Sequence, residues 1–536
     1  MSPTRREALA QLAALAAAAA VRLPDMSYSP PSDPLDGTIA DYQAGRRRGD
    51  WSAEEVTRRA LERCRADGKS LHAIDALSND AIAEARASDV RLRAGKLRGP
   101  LDGVPVFTKS IYDVKGLPTT GSSAAWALLF PDPVQRDSIE VSRIRATGAV
   151  LLGKTAADDF AFHGDGTSSY TGQVLNPYDR TGTRTPGGSS AGSAVAVADG
   201  MAFAALGTDD GGSNRIPAQF TGIVGMKPSF GLVPRTGVIP TWPYLDTHGP
   251  LARHVADAAL YLAAIAGPDP SDPLALTNAF DAAPLASLRD DALKGVKIGM
   301  VEGNIPRELM SSESLANFDR AVGDLRATGA LVEQFASPVT SANYRDLFKA
   351  AAKERGDVEP NDWTPAPTAN AYRIYWEGRS SDPRADMRRG YPAYRSFYEA
   401  LPETYDECEP LFEQPMTKDA AGQSFAKSRA TIVGQLVMAM RAAGITAMVW
   451  PTMPFPAPLV VDDWPKIRTT LSYNNWLGLP EVSVPAGYGA DGMPTGNLSV
   501  VGFPGDDARV LAFAHAYERQ SRRFVRPPRP GTGSGL

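Results

Sequence analysis

The stretch from Thr185 to Ser213 constrains the fold of this 536-residue chain more than any other part of it. It contains a Gly/Ser loop (TPGGSSAG, 185–192), a small-residue helix from Ser193 to about Asp199, an apolar run (201–206) and a second Gly-rich loop, GTDDGGS (207–213). Short apolar runs that alternate with helices are typical of strands covered by helices on both faces of a sheet. The stretch therefore predicts an α/β fold.

The same alternation occurs on both sides of this stretch. Val104–Lys109 and Ala149–Gly153 are apolar runs that predict buried strands, and residues 139–147 between them predict a helix. Short apolar runs return over residues 445–500, and residues 506–520 predict an amphipathic closing helix. We expect these segments to belong to one sheet with helices on both faces.

The two Gly-rich loops carry serines of the kind that amide hydrolysis requires. This reaction needs a nucleophile, a base that later protonates the leaving amine, and hydrogen-bond donors for the oxyanion. Gly211 and Gly212 directly precede Ser213, and glycines in this position let backbone N–H groups converge on a carbonyl oxygen. Ser213 is therefore a candidate nucleophile, and a second serine, from the Ser189-Ser190 pair of the first loop, could relay a proton.

Lys109 is the candidate base, because the chain has only five histidines. A free lysine is protonated at neutral pH, but burial disfavours the charged form and lowers the pKa. Lys109 ends an apolar run that includes Val106 and Phe107, so we expect its amine to be poorly solvated. A neutral Lys109 could draw a proton from a serine hydroxyl.

A resemblance to the amidase signature family spans nearly the whole of the chain that would follow the predicted export signal. Residues 187–228 (GGSSAGSAVAVADGMAFAALGTDDGGSNRIPAQFTGIVGMKP) resemble the family's signature, and residues 99–109 resemble its lysine strand. Further matches follow in the family's order: Gly148–Lys154, Asp159–Ala161, Asn176-Pro177, Thr247–Arg253, Pro451-Thr452 and Gly478–Pro485. The resemblance implies a single large α/β/α domain around a mixed, twisted sheet.

The resemblance also implies a role for each site residue. Ser213 is the expected nucleophile, Lys109 is the base, and Ser189, held by a cis peptide bond in the family, bridges the two. The backbone N–H groups of Asp210, Gly211 and Gly212, with that of Ser213, are the expected oxyanion hole, and the expected supporting residues are Ser190, Asp209 and Arg215. No cofactor and no metal are expected, and the expected partner is a small-molecule amide, with aryl amides and carbamates as candidates.

Four positions depart from the family's usual pattern: Ser110, Ile111, Ala191 and Asn214. None of them is a member of the expected triad. Ser110 and Ile111 stand where the family often has Asp-Asn after the lysine. They therefore leave open whether any carboxylate lies near Lys109.

Other functions compatible with parts of the sequence remain as alternatives. Gly188–Gly192 fits the G-x-S-x-G nucleophile elbow, with His515 as its base, and Ser424–Lys427 fits S-x-x-K. The amidase resemblance itself admits a glutamine-hydrolysing component of a tRNA-dependent amidotransferase, which needs partner subunits. An inactive amidase-fold binding protein is the non-enzymatic alternative.

Charge and composition restrict the partners. The formal net charge of −5 argues against nucleic acid, and no segment reaches the roughly 18 apolar residues of a stable membrane span. The histidines show no metal-ligand spacing, and two cysteines are too few for a Cys-rich zinc site. The sequence leaves homo-oligomerisation open.

The chain divides into four predicted segments. Residues 1–25 are predicted to be an export signal of the twin-arginine type, because Arg5 and Arg6 precede an Ala/Leu run. This predicts a periplasmic protein, with a cytoplasmic one as the alternative. Residues 26–37 are predicted as a linker, 38–525 as the amidase domain with a variable, aromatic-rich insertion at 340–425, and 526–536 as a disordered tail.

Overall fold

The central feature of the fold is a mixed sheet of 11 strands. The computed structural model describes residues 32–360, 420–460 and 469–528. In chain order the strands are β1 Ile74–Leu77, β2 Pro105–Lys109, β3 Val150–Thr155, β4 Thr167–Ser168, β5 Gly172–Gln173, β6 Ala204–Asp209, β7 Val224–Lys227, β8 Thr247–Ala252, β9 Lys297–Met300, β10 Leu331–Gln334, β11 Ala447–Pro451, β12 Glu481–Tyr488 and β13 Pro494–Val501. β4 and β5 pair only with each other, outside the large sheet.

The order of strands across the sheet is β1-β3-β2-β6-β8-β7-β12-β13-β11-β9-β10. Strands β3, β2 and β6 run parallel, as do β10, β9 and β11, whereas all other neighbours are antiparallel. Every residue of β2, β3, β6, β7, β8 and β11 is buried. This agrees with the prediction of strands covered on both faces and confirms the mixed α/β sheet.

Helices cover the two faces of the sheet. They are α1 Ile39–Arg48, α2 Ala53–Arg63, α3 Ala81–Arg93, α4 Ala124–Leu129, α5 Ile139–Ala146, α6 Ala191–Ala198, α7 Arg215–Phe220, α8 Val255–Ile265, α9 Ser312–Ala327, α10 Tyr344–Arg355, α11 Ala420–Ala443, α12 Thr469–Leu477 and α13 Asp507–Ser521. Several begin at a capping hydroxyl: Thr38, Ser52, Ser138 and Ser311 each accept a backbone N–H from the first turn. Within the described ranges, no helix is long and apolar enough to cross a membrane.

The predicted elements around the site occur with small changes of boundary. The strand predicted over 104–109 is β2, and the helix predicted over 139–147 is α5. The apolar run at 201–206 becomes strand only from Ala204, and β6 continues to Asp209. The polar end of β6 is therefore strand, because its residues Gly207–Asp209 still pair with β8.

Several predicted segments lie partly or wholly outside the described residues. These include residues 1–25, the tail beyond 528, and the insertion aromatics Trp363, Tyr372, Tyr375, Trp376, Tyr391, Tyr394, Phe397 and Tyr398. The described ends of the predicted insertion, α10 and the start of α11, pack on α12, where the Phe348 and Phe425 rings each lie 5.0 Å from that of Trp476. In the predicted linker, Leu35 is fully buried within a 3₁₀ turn.

Candidate active site

The carboxyl ends of β2 and β6 bring the predicted base beside the first Gly/Ser loop. The two strands are parallel neighbours, with Val106 opposite Ala204, so their last residues reach the same edge of the sheet. Lys109, the last residue of β2, is fully buried, and its Nζ lies 2.7 Å from Ser189 Oγ. The same nitrogen donates to Thr208 Oγ1 at 2.8 Å. Lys109 and Ser189 are therefore in hydrogen-bond contact, as the proposed proton relay requires.

The first Gly/Ser loop is joined to the loop that carries Ser213. The peptide bond between Gly188 and Ser189 is cis, as the family resemblance implies. The backbone N–H of Ser190 donates to the carbonyl of Ser213 at 3.1 Å. Ser190 Oγ also donates to the Thr208 carbonyl and accepts from the Thr208 N–H, each at 3.2 Å. Ser190 thus connects both loops to β6, and its supporting role in catalysis stays a prediction.

Glycine is required at two points where the loops approach each other. A Cβ added to Gly207 would lie 2.1 Å from Asn214 Oδ1 and 2.5 Å from Ser190 Oγ. Gly212 has φ +120°, a conformation that favours glycine, and a Cβ there would lie 2.5 Å from the Leu471 side chain. The Gly-rich composition of residues 207–213 therefore follows from close packing around the serine.

Asp209 and Arg215 stabilise the second Gly-rich loop, residues 207–213, by buried hydrogen bonds. Asp209 accepts the N–H groups of Gly212 at 2.8 Å and Asn214 at 3.2 Å. Its carboxylate also accepts two hydrogen bonds from the Arg215 guanidinium, at 2.8 and 2.9 Å. Burial alone would raise the pKa of Asp209, but the charge and hydrogen bonds of Arg215 outweigh it, and the pKa is lowered. Asp209 is therefore a fixed anion that shapes the loop.

The backbone N–H groups predicted to form the oxyanion hole differ in whether they already donate a hydrogen bond. The N–H of Gly212, one of its expected donors, already donates to Asp209. The N–H groups of Gly211 and Ser213 donate to no acceptor within the described ranges. Because a donor must be unengaged to receive a developing oxyanion, these two N–H groups are better candidates than that of Gly212. Ser213 itself is 7 % exposed, so little of its surface is open to solvent.

Carboxylates surround Lys109 although none follows it directly in the sequence. Burial lowers the pKa of Lys109 to about 8, against the opposing effect of the nearby carboxyl groups of Asp210, Asp158, Asp209 and Asp246. This answers the question that Ser110 and Ile111 leave open: the carboxylates come from other strands and loops. A pKa near 8 allows a substantial neutral fraction of the amine at mildly alkaline pH.

Three residues of this site are not identified by the sequence analysis. Thr208 contacts Lys109, while Asn475 and Glu481 complete the surroundings of Arg215. Asn475 also donates to the Asp209 carboxylate at 2.9 Å. Thr208 and Glu481 lie inside segments that match the family pattern, but only the folded chain shows what their side chains contact.

The two alternative serine motifs lack the contacts that their chemistry needs. His515 on α13 pairs with Asp290 at 3.2 Å rather than with a serine. Ser424 Oγ donates to the Val358 carbonyl at 2.7 Å, and the exposed Lys427 pairs with Asp357 at 3.5 Å. These contacts give neither motif a nucleophile paired with a base.

The sheet, and the contact between Lys109 at the end of β2 and Ser189 in the first Gly/Ser loop, point to the class of protein. A family model described as Amidase matches residues 55–511, and the chain belongs to this family, the amidase signature family. This confirms the predicted resemblance. The protein is a hydrolase that acts on carbon–nitrogen amide bonds.

Similar proteins include a subunit of an amidotransferase and amidases. The chain is 35 % identical over 504 residues to a glutamyl-tRNA(Gln) amidotransferase subunit from Anaeromyxobacter sp. (strain K), covering 89 % of this chain and 95 % of the relative. The structure of this protein matches that of a peptide amidase from Stenotrophomonas maltophilia with a TM-score of 0.76 and 30 % identity. The match covers 93 % of this chain and 99 % of the amidase. A bacterial aryl acylamidase, 23 % identical, shares the fold with a TM-score of 0.70 over 90 % and 96 %.

Proposed function

We propose that this protein hydrolyses carboxylic amides through an acyl-enzyme on Ser213, with Ser189 and Lys109 as the proton relay. The observation that supports this most directly is the 2.7 Å contact between the Lys109 amine and the Ser189 hydroxyl. The contact between Ser190 and the Ser213 carbonyl keeps the two serine loops together. The similarity to a peptide amidase also supports amide hydrolysis.

The first half of the reaction forms the acyl-enzyme. Neutral Lys109 accepts the Ser189 proton while Ser189 accepts the Ser213 proton, and Ser213 Oγ bonds to the amide carbon. The carbonyl oxygen gains negative charge and is stabilised by the loop N–H groups of Gly211 and Ser213. The protonated Lys109 then returns its proton through Ser189 to the amide nitrogen, the C–N bond breaks, and the amine leaves.

The second half releases the acid. Water gives a proton to the same relay, and its oxygen bonds to the ester carbon of the acyl-enzyme. The ester bond to Ser213 breaks, and the proton returns from Lys109 through Ser189 to Ser213 Oγ. Lys109 thus ends each cycle neutral, so catalysis requires its uncharged form at the start.

Ser213→Ala tests the nucleophile. We expect the variant to lose roughly three orders of magnitude or more in kcat on any amide that the wild type cleaves, because no other hydroxyl replaces the attacking oxygen. A panel of an anilide, a peptide amide, an aryl carbamate and an activated ester identifies the substrate class. Ser193→Ala is the matched control, since Ser193 is a buried serine of α6 that bonds to the Leu206 carbonyl at 2.8 Å. Equal rates for S213A and wild type would refute the assignment.

Lys109→Ala tests the relay on two kinds of leaving group. Amines leave poorly without a proton, whereas activated phenolates need little help. We therefore expect K109A to lose far more activity on an anilide than on a p-nitrophenyl ester. Equal losses on both substrates would contradict the role of Lys109 in protonating the leaving group.

Glutamine hydrolysis within an amidotransferase is the second candidate function. It is supported by the similarity to the amidotransferase relative over most of the chain. This function predicts release of ammonia from glutamine and dependence on added partner subunits. Turnover of an anilide or peptide amide by the purified chain alone, with no release of ammonia from glutamine, would favour the free-standing amidase.

A further inference from the structure

Two carboxyl groups outside the proposed triad face each other beside Lys109. Asp209 and Thr247 are the last paired residues of the antiparallel strands β6 and β8, so Asp210 and Asp246 occupy the next opposing positions. They are 2 % and 4 % exposed, and their side chains lie within hydrogen-bonding reach of each other. Two ionised carboxylates placed opposite each other in a buried site repel strongly. One of the two must therefore carry a proton.

The hydrogen bonds indicate which carboxyl group holds that proton. Asp246 accepts the backbone N–H groups of Trp242 at 2.8 Å and Thr241 at 3.1 Å, and such donors stabilise the ionised form. Neither oxygen of Asp210 accepts a hydrogen bond from any donor in the described part of the chain. A buried carboxylate without donors is costly, whereas a carboxylic acid can donate to Asp246. The proton therefore belongs on Asp210.

The charge of Asp210 acts directly on the proposed base. Asp210 comes directly after β6, two positions beyond Thr208, whose hydroxyl accepts a hydrogen bond from the Lys109 amine. Among the carboxyl groups near Lys109, Asp210 in its ionised form would raise the pKa of the amine most. Burial, and then Asp246, raise the pKa of Asp210 well above its usual range. These effects agree with a neutral Asp210 beside an amine that can lose its proton.

We propose that Asp210 and Asp246 share one proton, carried by Asp210, and that this neutral acid is a positioning residue that keeps Lys109 able to act as a base. The proposal rests on the proposed function of Lys109. An ionised Asp210 would hold Lys109 as an ammonium ion, which cannot accept a proton. It would also add negative charge next to the N–H groups proposed to bind the oxyanion.

Other titratable or charged groups also face this cluster and must be considered in any pH profile. In the described part of the chain they include Asp158 after β3, Asp209 on β6, Tyr112 after β2 and Arg235 before β8. Glu140 of α5, which is paired with His248 of β8, acts in turn on Tyr112 and Arg235. A single profile of the wild type cannot separate their effects. The test therefore uses a double-mutant cycle on the two carboxyl groups.

The cycle measures kcat/KM against pH, which reports the ionisations of the free enzyme. The acidic limb of the wild type reports loss of the proton from Lys109, whose pKa is lowered by burial. We expect D210N to leave this limb in place, because it replaces one neutral group by another. We expect D246N to move the limb upward by about one pH unit or more, because Asp210 then ionises beside Lys109. The double variant D210N/D246N should return to the position of D210N.

D257N is the matched control for loss of a buried carboxyl group. Asp257 lies on α8 and is 1 % exposed, and burial raises its pKa to about 6. Its carboxyl group accepts the backbone N–H of Ile39. Its removal should leave the acidic limb unchanged. A downward movement of about one pH unit or more in D210N, or no movement in D246N, would overturn the proposal.

Infrared spectroscopy tests the shared proton without any substrate. The difference spectrum of wild type minus D210N at neutral pH should contain the C=O stretch of a protonated carboxylic acid, which moves in deuterated water. Absence of this band would overturn the proposal even if the enzyme is active. Failure of S213A to lose activity would instead refute the proposed function, and the band would still report on Asp210.

Discussion

At the scale of single residues, burial alone does not identify the base. Burial lowers the pKa of Lys109 to about 8 and that of Lys227 to about 7. Lys227 Nζ donates to the carbonyl of Pro228 at 2.9 Å, whereas Lys109 Nζ lies against the Ser189 hydroxyl. The contact therefore distinguishes the two lysines. The sequence predicts Lys109 from its place at the end of an apolar strand, but its contact with Thr208 depends on how β2 and β6 pair.

The lowered pKa of Lys109 predicts a pH dependence of stability. Between pH 8 and about 10.4 the unfolded chain binds the lysine proton and the folded chain does not, so this residue makes stability rise with pH. Below pH 8 both states bind the proton, and the contribution is constant. We expect K109M to be more stable than wild type at pH 7, by an amount that shrinks by about 3 kcal/mol between pH 8 and 10.4.

Chemical denaturation of both proteins across this pH range measures the difference. The comparison cancels the titration of other groups that the two proteins share. A difference in the free energy of unfolding that stays constant from pH 7 to 10.4 would show that the Lys109 amine is not desolvated in the folded state. It would thereby remove the physical basis of its role as a base.

At the scale of elements, the loop between β6 and α7 is held by residues that are far apart in the sequence. Arg215 forms buried ion pairs with Asp209 and with Glu481 of β12, and Asn475 of α12 donates to Asp209. The local motif predicts Asp209 and Arg215 as supporting residues. It cannot predict Glu481 and Asn475 as their partners. Glu481 comes close to Arg215 only when β12 pairs with β7, and Asn475 lies on α12, which directly precedes β12 in the chain.

Arg215→Met should therefore affect both stability and catalysis. The substitution leaves two buried carboxylates without their cation, which costs about 3–5 kcal/mol. Asp209 also loses the partner that orients it toward the Gly212 N–H, so we expect a fall in kcat well below the melting temperature. Arg253→Met is the matched control, since Arg253 is equally buried but donates to the carbonyls of Val197 and Ala202 at 2.8 Å.

Thermal melts and amide kinetics on both variants separate the two effects. R253M should lose stability and keep kcat near that of wild type. An unchanged kcat in folded R215M would show that Asp209 shapes the loop without this arginine.

At the scale of the whole molecule, strands from the first and second halves of the chain form one sheet. The sequence pattern alone does not show which strands are neighbours in it. The alternation of apolar runs and helices predicts the α/β class, and the family resemblance predicts a mixed sheet. Neither predicts that β8 lies between β6 and β7, or that β9 pairs with both β10 and β11. Such neighbours depend on contacts between segments far apart in the chain, and local periodicity contains no information on them.

This topology predicts how the chain responds to being cut. All three residues of the proposed triad lie in the first half, but β7 pairs with β12, and Arg215 forms an ion pair with Glu481. The chain between Asn278 and Ala279 is exposed and lies outside every strand and helix. We expect the fragment ending at Asn278 to be insoluble and inactive when expressed alone, because it exposes the edge of β7 and an unpaired part of the core. Co-expression with the fragment from Ala279 should restore soluble, Ser213-dependent amidase activity, since the cut removes no sheet pairing.

Co-purification and turnover of the two fragments measure this outcome, with the intact chain as the reference. A soluble first fragment that hydrolyses amides by itself would show that β12 and Glu481 are dispensable, and that the 11-stranded sheet is not one cooperative unit.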